Sequence, residues 1–275
     1  MRRVIIALLF AASVAHGQDW RILGQMFTEP CGGLVTLGGA VNLDGSLASF
    51  YETAAALSNA ASATISCWIK TSSSHSGRYF VHERSALSSG ISIGQALNTD
   101  GTDKNNGRVC ASYRSSAGTF LMLEGPVVTN NVWTLLVFVV AGSNATFYVD
   151  GIATNAASNV STSHTFSAAG AVRHCIGGLV GAAAPAYFAG LIDDLAVFKN
   201  RPFTSSEVSE LYNRGIGKQV TSLSTGTNGL VRYWKMDDGL TNPAASNAYD
   251  SASGTVAAGV SIGAGVWTNG IVPLP

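Results

Sequence analysis

Charge is scarce in this chain. Only 12% of its 275 residues are Asp, Glu, Lys or Arg, and 16 basic residues balance 16 acidic ones. Nucleic-acid binding needs a basic face, and the basic residues here are scattered. A polybasic patch for a membrane surface is absent for the same reason. Cysteine is also sparse. Cys31, Cys67, Cys110 and Cys175 form no CxxC, which argues against a zinc site. The four allow three disulfide pairings and the spacing does not choose among them; a buried thiol is the alternative for Cys67. Helical periodicity is nearly missing. After Val14 no apolar run is long enough to span a membrane as a helix.

The sequence begins with Arg2 and Arg3, an apolar run from Val4 to Val14, and the small-residue site Ala15-His16-Gly17. This predicts a secretory signal peptide over 1–17, a mature start at Gln18 and a location outside the cytoplasm: secreted, periplasmic or at the cell surface. Without Arg2 and Arg3 the mature chain has 14 basic and 16 acidic residues, a net charge of −2.

Short apolar runs alternate with turns rich in Gly, Ser, Thr, Ala and Asn, the signature of an antiparallel sandwich. Strands are expected over Ala40–Leu43, Thr64–Lys70, Tyr79–Glu83, Arg108–Arg114, Phe120–Leu123, Trp133–Val140, Thr146–Val149, Val172–Ile176 and Leu191–Phe198. Within Thr64–Lys70, Ile65, Cys67 and Ile69 point one way and Thr64, Ser66, Trp68 and Lys70 the other. Asp150-Gly151 is a hairpin turn, and the stretch from Thr154 to Thr165 reads as a surface loop. One helix is expected from Thr204. Thr204 and Glu207 form a capping box, Phe203 and Val208 a hydrophobic staple, Val208, Leu211 and Tyr212 an apolar stripe, and Gly215 the stop. Residues 18–38 are an N-terminal extension, 39–215 the main domain, 216–228 a linker and 229–275 a C-terminal segment too small to fold alone.

Five segments, AVNLDG (40–45), ATISCWIK (63–70), NVWTLLVFVV (131–140), FYVDG (147–151) and FAGLIDDLAVFKNRPFTSSEVSELY (188–212), resemble the laminin G-like, concanavalin A-like jelly-roll family. The resemblance implies an all-β fold of two curved antiparallel sheets. It also implies a role in binding carbohydrate or extracellular protein, often with one structural Ca²⁺. The tail is unusual. GLVRYWKMDDG, AYDSASG and GVWTNG resemble segments that normally precede the family's first strand, yet here they come last. Either the tail folds back to complete the sandwich, as in a circular permutation, or it begins a truncated second repeat.

Asp193 and Asp194 stand inside an apolar strand, and alternation places Asp193 on the face of Leu195 and Val197. A buried carboxylate needs partners. Ca²⁺ ligated by Asp193, Asp44 and Asn42 would supply them, and hydrogen bonds to backbone amides are the other solution. Aromatic rings are the usual platforms for sugars, and Tyr113, Tyr187, Trp68 and Tyr79 are the candidates.

The catalytic signals are weak. Gly90-Ile-Ser92-Ile-Gly94 matches GxSxG, but no helix pattern follows it as a nucleophile elbow requires. Sugar-cleaving enzymes on this fold carry ExDxE or ExDxxE along one strand; here Glu83, Glu124 and Asp150 lie on separate segments. HExxH and a P-loop are absent, NTDGTDKNNG (98–107) lacks EF-hand spacing, and the four mature histidines show no metal spacing. The expectation is a non-catalytic, exported recognition module. The competing readings are an adhesive surface protein with no sugar ligand and a glycoside hydrolase.

Overall fold

A computed structural model describes residues 37–44, 49–53, 57, 60–72, 78–84, 90–95, 107–114, 120–157, 172–178, 188–237, 247–249, 251–252, 256–260 and 267–273. The expected signal peptide, Cys31, the face of Tyr79 and the whole of Tyr187 lie outside what is described.

In chain order the strands are β1 (Leu37–Asp44), β2 (Ser49–Thr53), β3 (Ser62–Thr71), β4 (Arg78–Arg84), β5 (Gly90–Gln95), β6 (Arg108–Arg114), β7 (Phe120–Val127), β8 (Trp133–Ala141), β9 (Asn144–Val149), β10 (Ile152–Ala157), β11 (Val172–Ile176) and β12 (Ala189–Lys199). Helix α1 (Ser205–Tyr212) follows, then β13 (Leu230–Trp234), β14 (Asn247–Tyr249), β15 (Val256–Val260) and β16 (Trp267–Pro273). They form two antiparallel sheets, the sandwich expected from the strand pattern and the jelly roll implied by the resemblance. The first runs β10-β9-β8-β3-β12-β1-β16, with β13 also on β12; the second runs β14-β15-β2-β11-β4-β5-β6-β7.

The core lies between the sheets. Ile65, Cys67 and Ile69 of β3, Phe138 of β8, and Leu195 and Val197 of β12 pack with Ile91, Ile93, Ala111 and Tyr113 of the second sheet. Cys67 is a buried thiol there, and burial raises its pKa, so the thiolate needed for reactivity is disfavoured.

The first sheet is covered on its other face as well. Trp68, Val137, Val139, Ala196, Phe198 and Tyr233 lie under Phe203, Val208, Leu211, Val220 and Leu223. This is why β8 reads as an unbroken apolar run from Leu135: both of its faces are buried. The capping box and staple form as expected. Thr204 Oγ1 accepts from Glu207 N at 3.3 Å, and Glu207 Oε2 accepts from Thr204 N at 2.8 Å. The α-helix stops earlier than Gly215. Asn213 takes the left-handed conformation at φ 44° and caps it, with a 3₁₀ turn over Asn213–Gly215.

The stretch read as a linker is packed. Val220 and Leu223 are buried, and Arg201 donates to Gly226 O at 2.6 Å, Asn228 O at 3.0 Å and Glu207 Oε1 at 2.8 Å. Its guanidinium also lies 5.1 Å from the ring centres of Phe198 and Phe203. One residue thus ties the end of β12, the helix and the chain leading to β13. Burial opposes ionisation of Glu207, but its bonds from Thr204, Thr225 and Arg201 prevail and hold its pKa at about 2. A depressed carboxylate stabilises the fold above its unfolded pKa and stops doing so as pH falls through the folded value. Glu207→Gln is therefore expected to cost about 1–3 kcal/mol at neutral pH. The loss should shrink as pH falls from about 4.5 toward about 2, measured by denaturant melts across that range.

Asp150 and Gly151 both take positive φ, 51° and 80°, as a two-residue hairpin requires. The hairpin extends the ladder further than expected: Thr154–Ala157, read as loop, belong to β10, and Thr154 Oγ1 donates to Phe147 O at 3.1 Å. The tail contributes to both sheets. β13 pairs with β12 and β16 with β1, while β15 pairs with β2.

Candidate functional site

Asp193 and Asp194 sit where β12 changes partners. On one side, β12 pairs with β1 up to Ile192 and with β13 from Leu195 onward. On the other, Asp193 pairs with Trp68 and Ala196 with Ser66, so β12 carries one extra residue. That residue makes a β-bulge, with Asp194 at φ 48°. The bulge resets the alternation. Asp193 shares the register position and face of Trp68, whereas Leu195 and Val197 line the core between the sheets. The expectation that Asp193 shares a face with Leu195 is thereby corrected.

Both aspartates are buried. Asp194 Oδ1 accepts from the Tyr233 hydroxyl, and Oδ2 is buried without a hydrogen-bond partner. Desolvation pushes the Asp194 pKa up; the Tyr233 bond and Lys235 lower it, Asp237 raises it, and the outcome is about 7.

Of the residues expected to hold calcium, Asn42 and Asp44 are placed by the backbone register alone. Asn42 pairs with Leu191 and Asp44 with Ala189. Ala189 lies four residues before Asp193, roughly 13 Å along the strand at about 3.3 Å per residue. Among the described residues, no three of His, Cys, Asp and Glu stand close enough to hold a metal ion.

The aromatic candidates separate clearly. Trp68 is 1% exposed and stacks on Tyr212, with ring centres 5.9 Å apart and planes at 19°. Tyr113 is also 1% exposed and faces the core, where burial raises its pKa to about 12. Neither offers a ring face to a sugar. Among the described residues, the exposed aromatic is one the sequence reading passed over: Phe120, 50% exposed at the start of β7. Its signal was present, because in FLMLE the inward positions Leu121 and Leu123 leave Phe120, Met122 and Glu124 on the other face.

That outer face of the second sheet is ordered by its register. Phe120 pairs with Arg114, Arg114 with Gly90, Gly90 with Glu83 and Glu83 with Arg173. A parallel row holds Met122, Ser112, Ser92, Val81 and Cys175. Ser92 and Ser112 share a hydrogen bond of 2.6 Å. Ser92 sits mid-strand with β5 continuing to Gln95, so no nucleophile elbow forms. Asp150 is engaged in the β9–β10 turn of the first sheet, where its Oδ1 accepts from Leu135 N at 3.0 Å. Glu124 pairs with Cys110 in the second sheet.

The family profile of the Concanavalin A-like lectin/glucanases superfamily, in its laminin G form, matches residues 44–209, more than half of the chain. The chain belongs to this superfamily. A putative carbohydrate binding protein from Bacteroides ovatus ATCC 8483 shares the fold with a TM-score of 0.62 at 14% identity, over 89% of this chain and 63% of that one. The chain thus spans less than two thirds of the Bacteroides protein. A native heptameric SAP-like pentraxin from Limulus polyphemus shares it at a TM-score of 0.51 and 16% identity, over 82% and 95%. At such identities the likeness is one of fold. A search of curated protein sequences gives no match. The superfamily match ends inside α1, so β13–β16, which add strands to both sheets of this concanavalin A-like domain, lie beyond it.

Proposed function

We propose that this chain is an exported, non-catalytic recognition module whose ligand is carbohydrate. Membership of the Concanavalin A-like lectin/glucanases superfamily supports a binding role in general. The observation that carries the finer reading is the half-exposed ring of Phe120 at the start of β7, the edge strand of the second sheet. Such a ring stacks on the apolar face of a sugar while neighbouring polar groups bind its hydroxyls. Against catalysis stand the unbroken strand around Ser92 and the placement of Glu124 and Asp150 in different sheets. The signal-like composition of residues 1–17 supports export; among the described residues no helix is long and apolar enough to cross a membrane.

A glycan array probed with the mature protein tests the proposal: binding to at least one sugar class is expected. Silence on every sugar would move the assignment to an adhesive, sugar-independent surface protein. Calcium is tested on the same protein. A structural Ca²⁺ held by Asp193, Asp44 and Asn42 predicts a melting temperature several degrees higher in excess CaCl₂ than in EDTA. Equal melting temperatures in the two would remove the structural ion.

A further inference from the structure

We infer that a water molecule is built into the bulge at Asp193–Asp194, held by Trp68 Nε1, Ser66 Oγ and Asp194 Oδ2. The site lies on the first sheet, away from Phe120, and does not depend on the carbohydrate reading.

Three observations lead there. First, Ser66 Oγ, Trp68 Nε1 and Asp194 Oδ2 are buried with no hydrogen-bond partner. Their residues are 0%, 1% and 3% exposed. A buried polar atom left unpaired bears the full cost of leaving bulk solvent, and an ordered water is the ordinary remedy. Thr64, on the same face of β3, shows the contrast: its Oγ1 donates to Arg201 O at 2.8 Å and accepts from Phe203 N at 3.0 Å. Second, the register brings the three atoms to one place. Trp68 stands opposite Asp193 and Ser66 opposite Ala196, with Cys67 the one residue between them. Cys67 and Leu195 line the core between the sheets, so Ser66 and Trp68 point to the opposite face. Tyr233 packs in the layer on that face and donates to Asp194 Oδ1, which brings the carboxyl to the same side. Ser66 and Trp68 are roughly 7 Å apart along β3, too far for a direct bond but near the ~6 Å that one bridging molecule spans. Third, the chemistry of the three atoms selects water. The indole N–H only donates, the serine hydroxyl donates or accepts, and a carboxyl oxygen accepts when ionised and can donate when protonated. A water satisfies all three in either state of Asp194, with the number of bonds usual for a buried water. A cation there would face the indole hydrogen, and an anion would face the carboxylate. The water joins β3 to β12 where the extra residue breaks their ladder, while Tyr233 of the tail holds the other oxygen of Asp194.

The test is a high-resolution crystal structure of the mature protein, from crystals grown in CaCl₂ and in EDTA. Expected in both is one density peak about 2.7–3.2 Å from Trp68 Nε1, Ser66 Oγ and Asp194 Oδ2. Empty density at the bulge would overturn the inference. So would a peak ringed by oxygens at about 2.4 Å that disappears in EDTA, because that is a bound cation. Nuclear magnetic resonance reads the same contact in solution. The Trp68 indole N–H should give a nuclear Overhauser cross-peak to water although the residue is 1% exposed. Trp68→Phe identifies that resonance as the one it removes; should this variant not fold, Ser66→Ala identifies it as the indole resonance that moves most. A Trp68 indole with no cross-peak to water would mean that the bulge is dry. None of these results bears on the glycan array, so this inference and the carbohydrate reading fail separately.

Discussion

Removing residues 229–275 is expected to abolish cooperative unfolding rather than lower the melting temperature by a few degrees. The segment supplies β13, β14, β15 and β16. Tyr233, Trp234 and Met236 are each 0% exposed; Tyr233 packs in the layer under the helix, Trp234 and Met236 in the core between the sheets. Losing one large buried side chain costs roughly 3–5 kcal/mol, and a whole domain is stable by only about 5–15 kcal/mol. Three such losses, plus the ladders to β1, β2 and β12, exceed what remains. Trp234→Ala alone should cost about 3–5 kcal/mol. A circular permutant gives the complementary result. Pro273 pairs with Leu37, so the end of β16 lies beside the start of β1. Joining these ends by a short linker and opening the chain at the exposed Thr227–Asn228 turn should give a protein that melts cooperatively. A truncated protein that melts like the parent by circular dichroism would show that the tail is dispensable.

How much of this was legible beforehand depends on whether each feature is local. The alternation in Thr64–Lys70 needs only the pleat of one strand, and Ile65, Cys67 and Ile69 do line the inter-sheet core. The capping box needs only four residues. Trp68 is different: its outward direction could be read, but its burial comes from Tyr212 and the helix, about 140 residues later, which cover it. The bulge at Asp193–Asp194 was hidden because it exists only relative to β3; in the chain itself nothing marks the extra residue except two adjacent acids in an apolar run. The same holds for the separation of Asp44 from Asp193, which the register between β1 and β12 sets. Arg201 was missed because its acceptors, Gly226 O and Asn228 O, lie some 25 residues away in a stretch whose composition resembles a linker. Phe120 could have been found, since the pattern around it separates inward from outward positions.

Asp194 should make the fold lose stability as pH rises from about 4 to about 7, opposite in sense to the effect of Glu207. Its folded pKa of about 7 lies above the ordinary 3.8, because burial disfavours the charged form. Between those values the folded protein holds a proton that the unfolded chain releases, so unfolding becomes easier with each step up in pH. The stabilisation is complete below about 4 and gone above about 7, a difference on the order of 4 kcal/mol. The window is distinct from that of Glu207 and Glu210, whose pKa values lie near 2 and whose contributions disappear only in acid. Asp194→Asn separates the causes. Asparagine tolerates the left-handed conformation at φ 48°, and its carbonyl can still accept from Tyr233. The variant should therefore melt at a temperature nearly independent of pH from 4 to 7, and above the parent at pH 8. Tyr233→Phe should instead destabilise by about 1–3 kcal/mol, because a buried acceptor loses its donor. A parent protein whose stability climbs with pH across this window would mean that Asp194 is ionised in the fold. A positive charge beyond Lys235 would then have to stand beside it. Repeating the pH series in CaCl₂ and in EDTA would show whether that charge is a bound cation.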